Sequence, residues 1–295
     1  MSEESPNLEQ GTPAEAAEKS GGLSRRWLFG ILILAFLFVL MPFLFWRATW
    51  FGQPLSDAEI TRDLADREHP RKAQHALSQF ADRMMSRDAA ARASAQRWYP
   101  QIAALAGSEH AQLRLTAAWV MGQDNGYPGF QATLRQLVAD PDPMVQRNAA
   151  LALVRFGDDS GHEVIRGLLQ PYAEKAEAAG TLRRRLKPGD TVNPGTLLGR
   201  IETADAKVEI RAKVPGTLAA WLAVDGAAMT QGAPVASIEP SADEQWEALR
   251  ALYLIGNAQD LPLIQNVARG RGEVGDAVRR QAELAARAIR ERNPL

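Results

Sequence analysis

The chain has 295 residues, with 34 Lys and Arg against 35 Asp and Glu, a formal net charge of −1. That balance excludes a general nucleic-acid binder, which carries a basic excess or a concentrated basic face. Cysteine is absent, so a disulfide framework, a thiolate nucleophile, Cys-ligated zinc and iron–sulfur clusters are excluded. The 4 histidines, at 69, 75, 110 and 162, leave little material for a metal site.

Residues 1–24 hold Glu, Ser, Pro and Gly without apolar periodicity. Such a segment buries too little to offset ordering entropy and is expected to be a disordered tail. Residues 27–46, WLFGILILAFLFVLMPFLFW, carry no charge. At 1.5 Å per residue they span about 30 Å, the thickness of a bilayer hydrocarbon core. Trp27, Trp46 and Trp50 bracket the run in the manner of interfacial anchors. The run is longer than a signal-peptide core, and no small-residue cleavage pattern follows it. The expectation is a single transmembrane helix within 25–50, contacting lipid through 27–46. Lys19, Arg25 and Arg26 precede it, only Arg47 follows closely, and Arg62 lies further on. The positive-inside bias then places the N-terminus in the cytoplasm and the remainder in the periplasm or outside, at an inner (cytoplasmic) membrane.

Short amphipathic helices separated by turn residues are expected over 51–173. The stretch from Asn148 to Asp158 reappears from Glu247 to Asn257, an offset of 99, and continues as Val164, Ile165 and Leu168 against Leu263, Ile264 and Val267. A further copy places Ala117-Ala118 32 residues ahead of Ala149-Ala150. Alanines let helices approach closely, and the larger aliphatics at i, i+3, i+4 form one apolar stripe. Gly157 and Gly256 are expected to end their helices in the left-handed conformation. In Asp140-Pro141-Asp142-Pro143, an Asp caps the next helix and Pro enters its first turn. This pattern, Asp-Pro-Asp-Pro-x-Val-x-Arg-x-Ala-Ala-x-Ala-Leu at 140–153, resembles the short form of the HEAT-repeat family. The resemblance covers 56–170 and 241–295, with degenerate capping pairs at Ser56 to Met85 and Glu273 to Arg292. It implies an α-solenoid that binds protein partners.

The offset of 99, against a repeat of 32, points to an insertion. Residues 174–240 are rich in Gly, Thr, Val and Pro, with turns at Lys187-Pro188-Gly189-Asp190, Asn193-Pro194-Gly195, Val224-Asp225-Gly226 and Gln231-Gly232. They read as strands. The segment is duplicated: Gly180, Thr181, Leu182 and Leu186 match Gly216, Thr217, Leu218 and Leu222 at an offset of 36. Gly189, Val192, Gly195, Leu198, Ile201 and Glu202 match Gly226, Met229, Gly232, Val235, Ile238 and Glu239 at 37. Two such units should clasp into a closed β-sandwich. The pattern resembles the lipoyl/biotinyl carrier domain, or barrel-sandwich hybrid, over 178–240. In that family a modified lysine occupies the hairpin tip; here Asp205 stands there and Lys207 follows two residues later, so no attached cofactor is implied. Unmodified domains of this kind occur in membrane-fusion adaptors, but the short link between the halves leaves no room for the helical hairpin those adaptors carry.

The fold class is therefore α+β multidomain: one transmembrane helix, an α-solenoid over 51–173 and 241–295, and an inserted small β-barrel-sandwich hybrid. Arg183, Arg184, Arg185 and Lys187 form a candidate docking patch for an acidic partner or for the neighbouring helices. In strict alternation Arg184 shares the core-facing side with Leu182 and Leu186, so it is expected to reach the solvated rim. Arg287, Arg290 and Arg292 are accounted for by their own helix terminus, and Arg279 and Arg280 by a solvated helix face. Trp98-Tyr99-Pro100 and Asn125-Gly126-Tyr127-Pro128 are expected to pack at repeat junctions, and Trp221 against the β domain. No nucleophile elbow, Walker loop or zinc-protease motif is present, and no catalytic, metal or cofactor site is expected. The leading function is a non-enzymatic, membrane-tethered scaffold or accessory subunit of an envelope membrane complex, binding other subunits and neither nucleic acid nor a small-molecule substrate. The alternative is a reduced membrane-fusion-type adaptor of an export system.

Overall fold

The computed structural model describes residues 25–48, 54–270 and 275–292. It divides into two units, Met1–Pro54 and Leu55–Leu295. The expected disordered tail, and Trp50 among the interfacial anchors, lie outside the described residues.

Among the described residues, the first unit contains one helix, α1 (Arg25–Ala48), with Pro42 inside it. Most of its described apolar side chains are exposed, among them Trp27, Phe38 and Phe45. The side chains of α1 are described continuously over 29–45. Among the described residues, no helix is long and apolar enough to cross a membrane.

The second unit begins with helices α2 (Asp57–Ala65), α3 (Pro70–Met84), α4 (Ala89–Ala95), α5 (Tyr99–Ala104), α6 (Ala111–Met121), α7 (Pro128–Leu137), α8 (Pro143–Arg155) and α9 (His162–Gly167). After the strands come α10 (Ala242–Ile255), α11 (Leu261–Ala268) and α12 (Asp276–Arg292). Local chemistry sets the starts. The Asp142 side chain accepts from the backbone N–H groups of Met144 and Val145, with Pro143 in the first turn of α8. Ser241 accepts from the Glu244 N–H and restarts the helical run one residue after the last strand.

Helices α3, α6, α8, α10 and α12 pack side by side in that order. Behind them α7 touches both α6 and α8, and α9 touches both α8 and α10. Buried alanines at the contacts (Ala117, Ala118, Ala149, Ala248, Ala251) allow this close stacking. One apolar core joins Ala150, Val154, Ile165 and Leu169 to Leu249, Leu252, Ile264 and Val267. The helices before and after the strands therefore form one body, and the β module is spliced into the loop between α9 and α10. Among the described residues of the expected C-terminal pair there is one helix, α12. One expectation here is corrected. Gly157 is left-handed at φ +68°, but Gly256 is extended, at φ −63° and ψ 155°. Glycine is needed at 256 for space, because a Cβ would meet the Leu252 carbonyl oxygen at 2.5 Å and Ile289 at 2.8 Å.

The β module comprises β1 (Tyr172–Lys175), β2 (Gly180–Arg184), β3 (Thr191–Val192), β4 (Leu197–Glu202), β5 (Lys207–Arg211), β6 (Gly216–Trp221), β7 (Ala228–Met229) and β8 (Pro234–Pro240). It starts at Tyr172, ahead of the expected boundary at 174. The expected closed barrel is not formed. Two open, four-stranded antiparallel sheets, β1-β8-β6-β3 and β5-β4-β2-β7, enclose one core. Closure requires a continuous ladder around the module, and here each sheet ends in two edge strands. The internal duplication explains the order: exchanging β1, β3, β6 and β8 for β5, β7, β2 and β4 turns one sheet into the other. Each half lends its short strand to the opposite sheet, β3 pairing with β6 and β7 with β2. The halves thus clasp as expected, without closing. Gly180 and Gly216 occupy equivalent places, where a Cβ would land on the carbonyl oxygens of Glu202 and Glu239.

Candidate functional site

The side-by-side helices present a groove of about 570 Å³ on α6, α8 and α10. Leu115 and Trp119 come from α6, Leu151 and Arg155 from α8, and Arg250 and Leu254 from α10. A second hollow of about 380 Å³ shares Arg250 and Leu254 and adds Trp246, Tyr253 and, from α12, Leu284. The two form one surface crossing the point where the β module is inserted, so the groove exists only because residues far apart in sequence are packed together.

Its floor is fastened by polar side chains. Arg147 on α8 donates to Glu244 at 2.6 Å and to Glu247 at 2.7 Å, both on α10. Asn148 donates to the Leu115 carbonyl on α6 at 3.2 Å. Arg155 donates to Gln123 at 3.2 Å. Arg250 lies 4.9 Å from the centre of the Trp246 ring, a cation–π arrangement that leaves its charge toward solvent. Apart from Met85, the exposed large hydrophobic side chains described in this unit fall in two places. Trp119, Trp246, Tyr253, Leu254 and Leu284 line this surface, and Leu222 and Val224 tip one loop of the β module. Apolar exposure concentrated in this way marks an interaction surface.

Sequence reasoning missed the groove. The available signal was that α10 is apolar on two sides: Leu249 and Leu252 are buried, while Trp246, Tyr253 and Leu254 are exposed. A helix with two apolar faces has no single stripe, and periodicity reports only the one turned into the core.

The expected docking patch lies at the end of β2 and in the loop that follows it. Arg183 donates to Glu202 at 2.8 Å, and Arg200 to the same carboxylate at 3.0 Å; hydrogen bonds from Arg183 and Arg200 hold the Glu202 carboxyl below its ordinary range. Arg185 and Lys187 are exposed. Arg184 departs from the expected solvated rim. It is half-buried, donates to the Ala223 carbonyl and sits 5.5 Å from the Trp221 ring centre. The second expected partner of the patch, the neighbouring helices, is not what it faces. The module meets the helices around a cavity of about 350 Å³ lined by Met144, Leu168, Tyr172, Val214 and Ile238. Asp205 lies in the exposed turn between β4 and β5, where the Thr203 N–H donates to Ala206 O at 2.9 Å, and Lys207 opens β5.

At the other expected positions, Trp98 and Tyr99 are buried at a repeat junction. Tyr99 meets Tyr127 edge-on and Phe130 at a tilt, at centroid distances of 5.1 and 4.6 Å, and donates to Asp124 at 2.5 Å. Trp221 packs against the module core and donates to Leu186 O at 3.0 Å. Arg292 does more than complement its own helix: it donates to the carbonyls of Tyr253 and Gly256, at the end of α10, at 2.5 and 3.0 Å. Of the membrane-interface residues, Trp27 is exposed on α1, and nothing is described of the side chain of Trp46.

A family profile for HEAT repeats matches residues 100–183. The match begins in α5 and runs through α9, and its last residues fall on β1 and β2, where the next helix pair would stand without the insertion. Among curated proteins, none matches the chain. The helices of this stretch, α5 to α9, are therefore HEAT-like by sequence, the others resemble them in their side-by-side stacking, and HEAT repeats commonly mediate protein–protein interaction.

Proposed function

We propose that this chain is a non-enzymatic, membrane-tethered scaffold that holds a protein partner in the groove on α6, α8, α10 and α12. The observation carrying this reading is the concentration of exposed aromatic and aliphatic side chains in a groove whose floor is cross-braced by Arg147. Large aromatics flanked by arginine are the usual anchors of protein interfaces. Anchoring by α1 at an inner (cytoplasmic) membrane, with the N-terminus cytoplasmic and the repeats periplasmic, is supported by the uncharged run 27–46 and the flanking charges. Tethering raises the effective concentration of the groove for neighbouring membrane proteins, which suits an accessory subunit of an envelope complex.

The test is site-specific photo-crosslinking of the full chain in native membranes, followed by mild-detergent extraction. A crosslinker at Leu254 should capture a discrete protein, and Trp119→Ala with Trp246→Ala should abolish the adduct. An absence of adducts at Leu254 and Leu284 across several detergents would count against a scaffold. Alkaline extraction of membranes tests the anchor separately.

A reduced membrane-fusion adaptor is the second reading, favoured by the two-fold strand order of the module, which resembles the lipoyl-like domains of such adaptors. It requires contact between modules of different copies. Crosslinks between modules would support it, and a strictly monomeric chain would remove it.

A further inference from the structure

The groove leaves one exposed apolar feature unexplained. The loop between β6 and β7 carries Leu222 and Val224, 50% and 70% exposed. It is not loose. The Leu222 N–H donates to Val235 O at 2.9 Å, the Gly226 N–H to Leu182 O at 2.8 Å, and the Arg184 N–H to the Asp225 carboxylate at 2.8 Å. Arg184 also reaches the Ala223 carbonyl from beneath. Two aliphatic side chains are thus held outward by a braced loop, where they contribute nothing to the core.

Around this tip lie Arg183, Arg184 and Arg185, with Lys187 on the adjoining loop bonded through its backbone to Asp190 at 2.8 Å. The cations on this face (Arg183, Arg184, Arg185, Lys187, Arg200 and Lys207) outnumber the carboxylates Asp190, Glu202, Glu209 and Asp225, and Glu202 is shared by two arginines. Arg185 has no carboxylate partner among the described residues. A protruding aliphatic pair beside arginine and lysine matches the chemistry of a bilayer interface, where apolar groups enter the headgroup–acyl boundary and cations meet phosphate. A purely polar acidic partner would account for the arginines and leave Leu222 and Val224 in water.

We infer that this corner of the β module is a peripheral membrane contact, inserting Leu222 and Val224 into an anionic bilayer surface while the exposed Arg185 and Lys187 bind lipid phosphates. The inference does not require α1 to span the membrane.

Because the chain has no cysteine, Val224→Cys accepts a single environment-sensitive fluorophore, and Leu254→Cys in the groove serves as reference. The full chain is added to, or reconstituted with, vesicles of phosphatidylcholine plus phosphatidylglycerol, and compared with phosphatidylcholine alone. The label at 224 should shift to the blue and be quenched by brominated acyl chains in the anionic vesicles, with the reference unchanged. Arg185→Glu with Lys187→Glu should weaken this response by about tenfold or more. Circular dichroism verifies that the variant is folded, and Lys187→Glu alone provides a milder version. A label at 224 that stays in water with anionic vesicles overturns the inference. So does a response equal in neutral vesicles and insensitive to charge reversal, or shielding produced by soluble polyglutamate and not by lipid. Alkaline extraction reports on α1 independently, so failure of the anchor and failure of the tip are told apart.

Discussion

The helical repeats and the β module solve the same packing problem with different materials. In the repeats, buried charge ties neighbouring turns of the array. Asp140 accepts from Arg114 at 2.7 and 2.8 Å, Asp158 from Arg135 at 2.6 Å and Gln131 at 2.8 Å, and Asp260 from His162 at 2.8 Å. The module carries a single buried charged group, Glu174 on its first strand. Burial pushes the carboxyl of Glu174 above its ordinary range, and the Lys213 N–H donates to it at 3.0 Å. Helix pairs stacked through alanine have similar surfaces at every step, so directional carboxylate contacts select one register. In the module, alternation and two glycines suffice, because a one-residue slip would expose every core side chain.

That contrast can be broken most severely at Asp260. Its side chain is fully buried, accepts from the Asn257 N–H and from His162, and lies 3.4 Å from Arg166. It joins α9, before the module, to the turn preceding α11, after it. Removing one partner of a buried charged cluster costs about 3–5 kcal/mol, because the others are left unpaired. Asp260→Ala should therefore loosen α10 to α12 from α8 and α9 while the β module stays folded. Hydrogen exchange should show protection lost across 242–292 and retained in β4 and β8. Equal loss everywhere would mean that the two regions unfold as one and the contrast has no energetic content.

The converse change is Gly216→Ala. A Cβ there meets the Glu239 carbonyl oxygen and lies 2.9 Å from Ile238, so β6 must separate from β8. A cost of about 2 kcal/mol, within the usual range of single substitutions, is expected from such a forced shift. It should fall on the module alone, leaving the helical signal and its melting unchanged. Gly180→Ala should behave alike, since Gly180 meets Glu202 in the same way.

These two variants also show how much was legible beforehand. The paired glycines and the 36-to-37 offset stand in the linear sequence, and they foretell the clasped halves because a repeat of strands and turns needs the same backbone at both places. The repeat offset of 99 likewise locates the insertion. Closure was not legible, since edge pairing depends on strand length, and β3 and β7 have 2 residues each. Alternation did place Arg184 on the core-facing side, but not its acceptor, the Ala223 carbonyl, which lies 39 residues further along the chain and holds it away from the rim. The groove was invisible for a different reason: it is assembled from α6, α8, α10 and α12, and no local pattern records which exposed side chains become neighbours after stacking.

The mildest test probes the same carboxylate ladder with protons. Burial would raise the Asp158 carboxyl, but hydrogen bonds from Ser160, Gln131 and Arg135 outweigh it and hold the group at about 2, against an ordinary value of 3.8. A carboxylate depressed in the folded state adds stability above its unfolded value and loses it as pH falls through the folded one. The contribution of Asp158 should thus be complete above pH 3.8 and fade between there and about 2. Asp158→Asn should lower the melting temperature near neutral pH and flatten the acid limb of the stability curve over that window. The module is the internal control: its own acid dependence has the opposite sign at Glu174, whose raised carboxyl makes it relatively more stable once protonated. If melting of the helices and of the module shifted together on acidification, the carboxylate ladder would not be what distinguishes the two regions.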